Sequence, residues 1–189
     1  KFADLVAQKS GGTLRVYQRE NPPSASILEE ATISTSFPFM GLFNNLVMFD
    51  PLKPQEGLDS IVPDLAESWS LDAAKTKLTF KLHQGVTFHD GKPFTAKDVV
   101  CTFDLVNGTI EGARKSPRKI WFDNVEKVTA DSDTQVSFQL KAPQPSLLNL
   151  LASGLTPIYP CHVSARDMRT KPIGTGDRKS TRLNSSHRT

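Results

Sequence analysis

Residues 65–104 read LAESWSLDAAKTKLTFKLHQGVTFHDGKPFTAKDVVCTFD, and their local structure can be predicted almost residue by residue. Leu78, Phe80 and Leu82 alternate with polar residues, which is the period-2 pattern of a strand that buries one face. A strand ending near Leu71 precedes it, so the two strands are predicted to form an antiparallel hairpin. A tight turn is predicted at residues 89–93, because Asp-Gly and proline both favour turns.

A helix is predicted to follow this turn. Thr95 is its expected N-cap, and Asp98 lies three residues later, where its carboxylate can return a hydrogen bond as in a capping box. The helix should end near Gly108, since glycine readily adopts the left-handed conformation of a helix stop. Its apolar stripe is formed by residues at helical spacing, namely Val99, Val100, Phe103 and Val106.

A second antiparallel hairpin is predicted at residues 125–140, where Val136, Phe138 and Leu140 alternate with polar residues after a turn at 131–133. Two hairpins with a packed helix, flanked by a strand at each end, indicate an α+β fold. The region before them is less regular. Residues 33–36 are expected to be extended, residues 37–45 helical, and residues 61–64 a short helical turn.

Composition and charge exclude some classes of function. The 189 residues are 38% apolar and 23% charged, which is ordinary for a soluble globular protein. No apolar run approaches the roughly 20 residues of a membrane helix. The net charge of +3 comes entirely from residues 177–189, so the rest of the chain is neutral overall. A nucleic-acid interface needs a basic face on the fold, and we therefore predict no nucleic-acid partner.

The histidines and cysteines do not form a recognisable catalytic or metal-binding pattern. His83 and His89 lie six residues apart, a spacing that fits no common zinc motif. Cys161 and His162 are adjacent, so their side chains diverge, and no acid partner is evident. We predict no catalytic residue, metal or cofactor. Cys101 and Cys161 can form a disulfide in an oxidising compartment, although the mid-helix position of Cys101 favours a buried thiol.

The same central region resembles a known family. The motifs LAESW at 65–69, GVxFHDGxPFTAxDVV at 85–100 and Phe103 together resemble the peptide/nickel family of bacterial extracellular solute-binding proteins, the ligand-capturing components of ABC importers. Several motifs in the right order over about forty residues make a specific match. The flanks GGTLRV at 11–16, LFNNLVMFD at 42–50 and PIGTG at 172–176 are similar to the family's opening strand, first ligand-side helix and return strand.

The resemblance implies the N-terminal part of a type II periplasmic-binding-protein fold, including its inserted antiparallel β subdomain. Residues 1–49 would begin lobe one, residues 50–171 would form the inserted α+β subdomain, and residues 172–176 would return to lobe one. Residues 177–189 resemble a translated sequencing adaptor, for which a genuine polar, disordered tail is the alternative. The chain is therefore expected to be a fragment of a longer protein.

The resemblance also implies a function without enzymatic chemistry. In relatives the ligand lies against the region that matches Ser34, Thr35, Ser36 and Phe37, although Phe37 has core packing as an equal alternative. The ligand would be a peptide or similar small solute, captured by hinge closure and passed to ABC permease membrane subunits with their ATPase. The protein would be exported to the periplasm or cell surface, touching the membrane only through its partner or a lipid anchor. A zinc or thiol hydrolase using the Cys/His groups, and a ligand sensor, are the alternatives.

Overall fold

The structure is a computed structural model that describes residues 17, 18 and 20–177. The predicted opening strand at 11–16 and the tail beyond residue 177 lie outside the described residues. The described helices are α1 (Ile33–Phe39), α2 (Ala96–Asn107), α3 (Leu147–Ala152) and α4 (Ala165–Met168). The described strands are β1 (Val47–Phe49), β2 (Ile61–Pro63), β3 (Ala66–Leu71), β4 (Lys77–Leu82), β5 (Val125–Ser132) and β6 (Gln135–Leu140).

Both predicted hairpins are confirmed, and they join into one sheet. The strand order is β3-β4-β6-β5, with every neighbouring pair antiparallel. The inner strands β4 and β6 pair directly, which places Leu78 opposite Phe138 and Phe80 opposite Val136. These four side chains are buried and lie on the same face, so the period-2 pattern identified the core face correctly.

Helix α2 covers the β5–β6 side of that core face. The Asp98 carboxylate accepts a hydrogen bond from the Thr95 amide at 2.8 Å, as the capping-box pattern predicts. Gly108 ends the helix in the left-handed conformation, with φ of 77°. The Phe103 ring packs edge-on against Phe138, with 4.8 Å between the ring centroids, and thereby anchors the helix to the sheet.

Three local predictions were wrong. Residues 61–63 form strand β2, which pairs with β1 in a second, two-stranded sheet, and not a helical turn. Residues 33–36 are helical, because the Thr35 and Ser36 amides donate to the Thr32 carbonyl and so start α1. Helical structure ends at Leu42, before the predicted limit of residue 45. For β2, pairing with a distant strand outweighs weak local propensity.

The buried-thiol prediction for Cys101 was also wrong. The structure joins Cys101 to Cys161 in a disulfide, with 5.4 Å between their Cα atoms. Cys101 is half-exposed on α2 and faces the segment that precedes α4, where the Cys161 amide donates to the Asp98 carboxylate at 2.8 Å. The disulfide therefore ties the middle of α2 to the chain 60 residues later.

Burial of Tyr159 makes the stability of the protein decrease at alkaline pH. Its side chain is buried against the ring of Phe43, and its hydroxyl accepts a hydrogen bond from the Leu28 amide at 3.4 Å. Burial disfavours the phenolate and raises the pKa of Tyr159 to about 12, although contacts with Ser26 and the Leu28 amide partly offset this. The unfolded chain releases this proton near pH 10, before the folded protein does, so unfolding is favoured as pH rises.

We expect the wild-type protein to lose about 1.4 kcal/mol of stability through Tyr159 between pH 9 and pH 11. The Tyr159→Phe variant should not show this loss of stability at alkaline pH, since phenylalanine has no proton to release. Urea unfolding curves for both proteins across this pH range measure the difference directly. Equal pH dependence in the two proteins would contradict the assignment.

Candidate functional site

The four predicted ligand residues lie on α1, where the helix divides them between two faces. Ser34 and Phe37 lie three residues apart on one face and line an open cavity of about 430 Å³. Thr35 and Ser36 are buried on the other side of the helix. The resemblance implied that the ligand lies against all four residues, whereas the helical conformation brings only Ser34 and Phe37 to the cavity.

Hydrogen bonds of Thr35 hold α1 in place. The Thr35 hydroxyl donates to the Ser24 carbonyl at 3.2 Å and accepts from the Thr32 hydroxyl at 3.3 Å. Pro38 lies inside the helix and has no amide proton for the Ser34 carbonyl, which instead accepts from Gln18 Nε2 at 3.0 Å. Gln18 therefore takes the place of a missing helical hydrogen bond and fixes one wall of the cavity.

The cavity offers apolar contact area beside a few polar groups. The Phe37 side chain is 65% exposed, which argues against the core-packing alternative for this residue within the described chain. The wall is formed by Tyr17, Gln18, Glu20, Thr32, Ile33, Ser34, Phe37 and Pro38. The sequence predicted Ser34 and Phe37 alone among these eight, and it did not indicate the other six, which include Tyr17, Gln18 and Ile33. The helical period would have linked Ile33 to Phe37, since residues i and i+4 share a face.

This lining suits binding better than catalysis. Aromatic and aliphatic surface with hydroxyl and amide groups is typical of pockets that hold small organic solutes. Glu20 and Tyr17 are the titratable groups among the residues that line the cavity. The cysteines proposed for a thiol hydrolase are joined in a disulfide and have no thiolate to offer.

The turn after α1 is fixed by residues from distant parts of the chain. The Gly176 amide donates to the Leu42 carbonyl at 3.0 Å, and the Thr175 hydroxyl donates to Asn44 Oδ1 at 3.0 Å. Asn44 Nδ2 in turn donates to the Asp64 carboxylate at 2.7 Å. Burial raises the pKa of Asp64 above its ordinary value, although the hydrogen bonds from Asn45 and Asn44 act in the opposite direction.

His89 and His162 serve as hydrogen-bonding partners in this part of the molecule. His162 Nε2 lies 2.7 Å from Asp90 Oδ2, and both ring nitrogens of His89 contact residues 174–176. Within residues 17–18 and 20–177, no group of three or more His, Cys, Asp or Glu side chains is placed to hold a metal ion. Among the described helices, none combines the length and apolarity needed to cross a bilayer.

Known proteins share both the sequence and the fold. Residues 60–179 match the family described as bacterial extracellular solute-binding proteins, family 5, middle region. The chain is 32% identical over 157 residues to the di/tripeptide-binding protein 2 of Pseudomonas aeruginosa strain UCBPP-PA14, covering 71% of this chain and 29% of that protein. The chain thus spans 25–36% of the length of the curated relatives it matches.

Two solved structures illustrate the structural similarity. The periplasmic binding protein MoaA of A. tumefaciens R10, in complex with mannopinic acid, is 27% identical with a TM-score of 0.74, covering 84% of this chain and 32% of its own. The binding protein DppA of Helicobacter pylori, in complex with the peptide STSA, is 22% identical with a TM-score of 0.72, covering 87% of this chain and 35% of its own.

Proposed function

The chain belongs to the bacterial extracellular solute-binding proteins, family 5, and from this we propose that it is part of the solute-capturing component of an ABC importer. The predicted α+β fold, and its place in the type II periplasmic-binding-protein fold, are confirmed by the similarity to solved periplasmic binding proteins. The family is defined by solute binding, and neither the hydrolase nor the sensor alternative is favoured by the relatives.

The solute that we propose is a short peptide, held against the exposed face of α1. The observation that carries this proposal is the cavity of about 430 Å³, in which Phe37 supplies apolar contact area and Ser34 a hydroxyl group. The Pseudomonas relative is a di/tripeptide-binding protein, which supports a peptide over an opine such as mannopinic acid. Thr35 contributes indirectly, since its buried hydroxyl bonds to the Ser24 carbonyl and holds the helix that carries Ser34 and Phe37, while Ser36 is buried away from the cavity.

The same proposal extends to the arrangement of the whole protein. Residues 1–49 begin lobe one, residues 50–171 form the inserted subdomain, and residues 172–176 return to lobe one. The hydrogen bond between the Gly176 amide and the Leu42 carbonyl supports such a return, because it joins the two proposed lobe-one segments directly. A second lobe closing over α1 would bury the cavity and the solute within it.

Delivery to a membrane permease follows from this role. Members of the family are periplasmic or extracellular, so we propose that the protein acts outside the cytoplasmic membrane. Its partners would be the permease subunits and their ATPase, and contact with the membrane would come through that partner or a lipid anchor. No nucleic-acid partner is proposed.

Replacing Phe37 by alanine in the longer parent protein is the sharpest test of the site. Losing the buried ring area should weaken binding of a di- or tripeptide by about tenfold to thirtyfold, because apolar burial of such a side chain contributes about 1.5–2 kcal/mol. Isothermal titration calorimetry against a panel of peptides and opines measures this. Leu52→Ala is the matched control, since Leu52 is 91% exposed and lies outside the cavity.

Two outcomes would overturn parts of the proposal separately. Unchanged peptide affinity in Phe37→Ala would remove Phe37 from the site while leaving the function intact. Absence of binding to every solute in the panel by the folded wild-type parent would contradict the solute-binding function itself.

A further inference from the structure

His89 contacts the chain's return segment through both nitrogens of its ring. The Gly174 amide donates to His89 Nδ1 at 3.3 Å, and His89 Nε2 lies 2.7 Å from the Gly176 carbonyl. The His89 amide also donates to the Gly174 carbonyl at 2.9 Å. Three contacts from one residue therefore hold residues 174–176, which we name the Gly-Thr-Gly segment.

The opposite side of the Gly-Thr-Gly segment lies against the turn that follows α1. A Cβ atom on Gly174 would stand 1.9 Å from the Leu42 carbonyl oxygen, and one on Gly176 would stand 2.6 Å from the Gly41 carbonyl oxygen. Glycine is needed at both positions because the two backbones approach so closely. The Gly176 amide completes the contact by donating to the Leu42 carbonyl. The segment is thus held between His89 and the turn that sets the end of α1.

The hydrogen bonds fix the protonation state of the imidazole. A carbonyl oxygen only accepts, so Nε2 must carry a proton, whereas Nδ1 faces an amide donor and must be free of one. This is the neutral Nε2–H tautomer. A second proton would have to bind at Nδ1, where it would point at the Gly174 N–H group, and the hydrogen bond would be lost. An unperturbed histidine side chain changes its charge between pH 5 and pH 8.

Few other charges act on this ring. Asp90, Lys92 and His162 are the charged or titratable groups on the side of the turn, and the Asp90 carboxylate is already engaged by His162 and the Lys92 amide. On the other side, residues 40–44 and the Gly-Thr-Gly segment contain no titratable side chain, but Asp64 accepts a hydrogen bond from Asn44, and the segment is flanked by Lys171 and Asp177. The groups that bond to His89 are therefore peptide groups that do not titrate themselves.

We propose that His89 is a positioning residue that makes this clamp sensitive to pH. In the neutral imidazole Nδ1 accepts a hydrogen bond from the Gly174 amide, and protonation of Nδ1 removes this one of the three His89 contacts and so loosens the Gly-Thr-Gly segment. The consequence for solute binding rests on the proposed function, because α1 carries the cavity wall. The clamp itself does not depend on that function and can be measured without a ligand.

The test uses nitrogen NMR on the complete 189-residue chain. At pH 8 the His89 ring should show an unprotonated Nδ1 and a protonated Nε2. Lowering the pH to 5 should protonate Nδ1 and reduce the hydrogen-exchange protection factor of the Gly174 and Gly176 amides by about threefold to tenfold, the value of one hydrogen bond. His89→Gln should show the same protection of Gly174 at both pH values, since glutamine does not titrate.

His162→Gln is the matched control, because it removes the neighbouring titratable ring without touching the clamp. This variant should keep the full pH response of Gly174 and Gly176. The proposal is overturned if wild-type protection stays constant between pH 8 and pH 5, if the His89 ring is protonated at Nδ1 at pH 8, or if His162→Gln abolishes the response. Since the wild-type measurements need no variant, a folding defect in His89→Gln would leave the test decisive. Peptide affinity of the parent protein at the two pH values then tests the functional consequence separately.

Discussion

Replacing Cys101 and Cys161 together by serine is expected to lower the free energy of unfolding by about 4 kcal/mol under non-reducing conditions. The disulfide closes a loop of 60 residues, which contains the β5–β6 hairpin and helix α3. Without the bond, the unfolded chain gains the freedom that this loop closure removes. Serine itself should cost little at these positions, because Cys161 is exposed and Cys101 half-exposed. Urea unfolding followed by circular dichroism measures the loss.

A reductant provides the control for this prediction. It should destabilise the wild-type protein to the level of the double serine variant, and it should leave that variant unchanged. A loss below about 1 kcal/mol would mean that the unfolded chain is already constrained around this loop, or that the sulfurs do not bond in solution. Backbone amide 15N chemical shifts of α2, compared between the wild type and the double serine variant, would distinguish these explanations, because loss of the bond alters the surroundings of Cys101 in the folded state.

The central sheet and its helix were predictable because their signals are local. Alternation over six residues determines which face of β4 is buried, and a capping pair four residues long determines where α2 begins. Both patterns involve residues that are close together in the sequence, so they do not depend on where the segment lies in the fold. The family resemblance rests on the same residues, 65–104. It therefore predicts the fold class from the region in which the local signals are also strongest.

Other features depend on partners that are distant in sequence. Strand β2 is three residues long and becomes a strand only by pairing with β1. Helix α1 begins at a threonine without a side-chain cap and contains Pro38, so its residues carry little helical signal of their own. Because this segment is helical, Ser34 and Phe37 lie on the face that lines the cavity. Thr35 and Ser36 are buried on the other face. The candidate site was therefore located by resemblance, while its geometry required the structure.

Arg169 and Glu29 form a buried ion pair on which the second large effect depends. Arg169 Nε and Nη2 donate to the two carboxylate oxygens of Glu29 at 2.7 and 2.8 Å, and the Arg114 amide adds a third hydrogen bond at 2.7 Å. The Glu29 side chain is 0% exposed. Burial alone would raise the pKa of Glu29, but the hydrogen bonds from Arg169 and the Arg114 amide outweigh it and hold this pKa below its ordinary value.

Arg169→Met should lower the free energy of unfolding at pH 7 by about 3–5 kcal/mol, because it leaves a buried carboxylate without its partner. The double variant Glu29→Gln with Arg169→Met should recover much of this loss, since no buried charge remains. Lys81→Met is the matched control, as it breaks the exposed pair with Glu67 and should change stability little. Urea unfolding of the four proteins measures these differences.

The effect of Arg169→Met should also depend on pH in a definite direction. Because the pKa of Glu29 is depressed in the folded protein, the stabilisation is present above the unfolded value of about 4.3 and is lost as the pH falls through the folded value. The gap between wild type and Arg169→Met should therefore be widest near neutral pH and narrow under acid conditions, where Glu29 is protonated in both proteins. A gap that stays constant from pH 7 to pH 3 would show that Arg169 acts through packing of its aliphatic stem, and the ionic account of this pair would then be wrong.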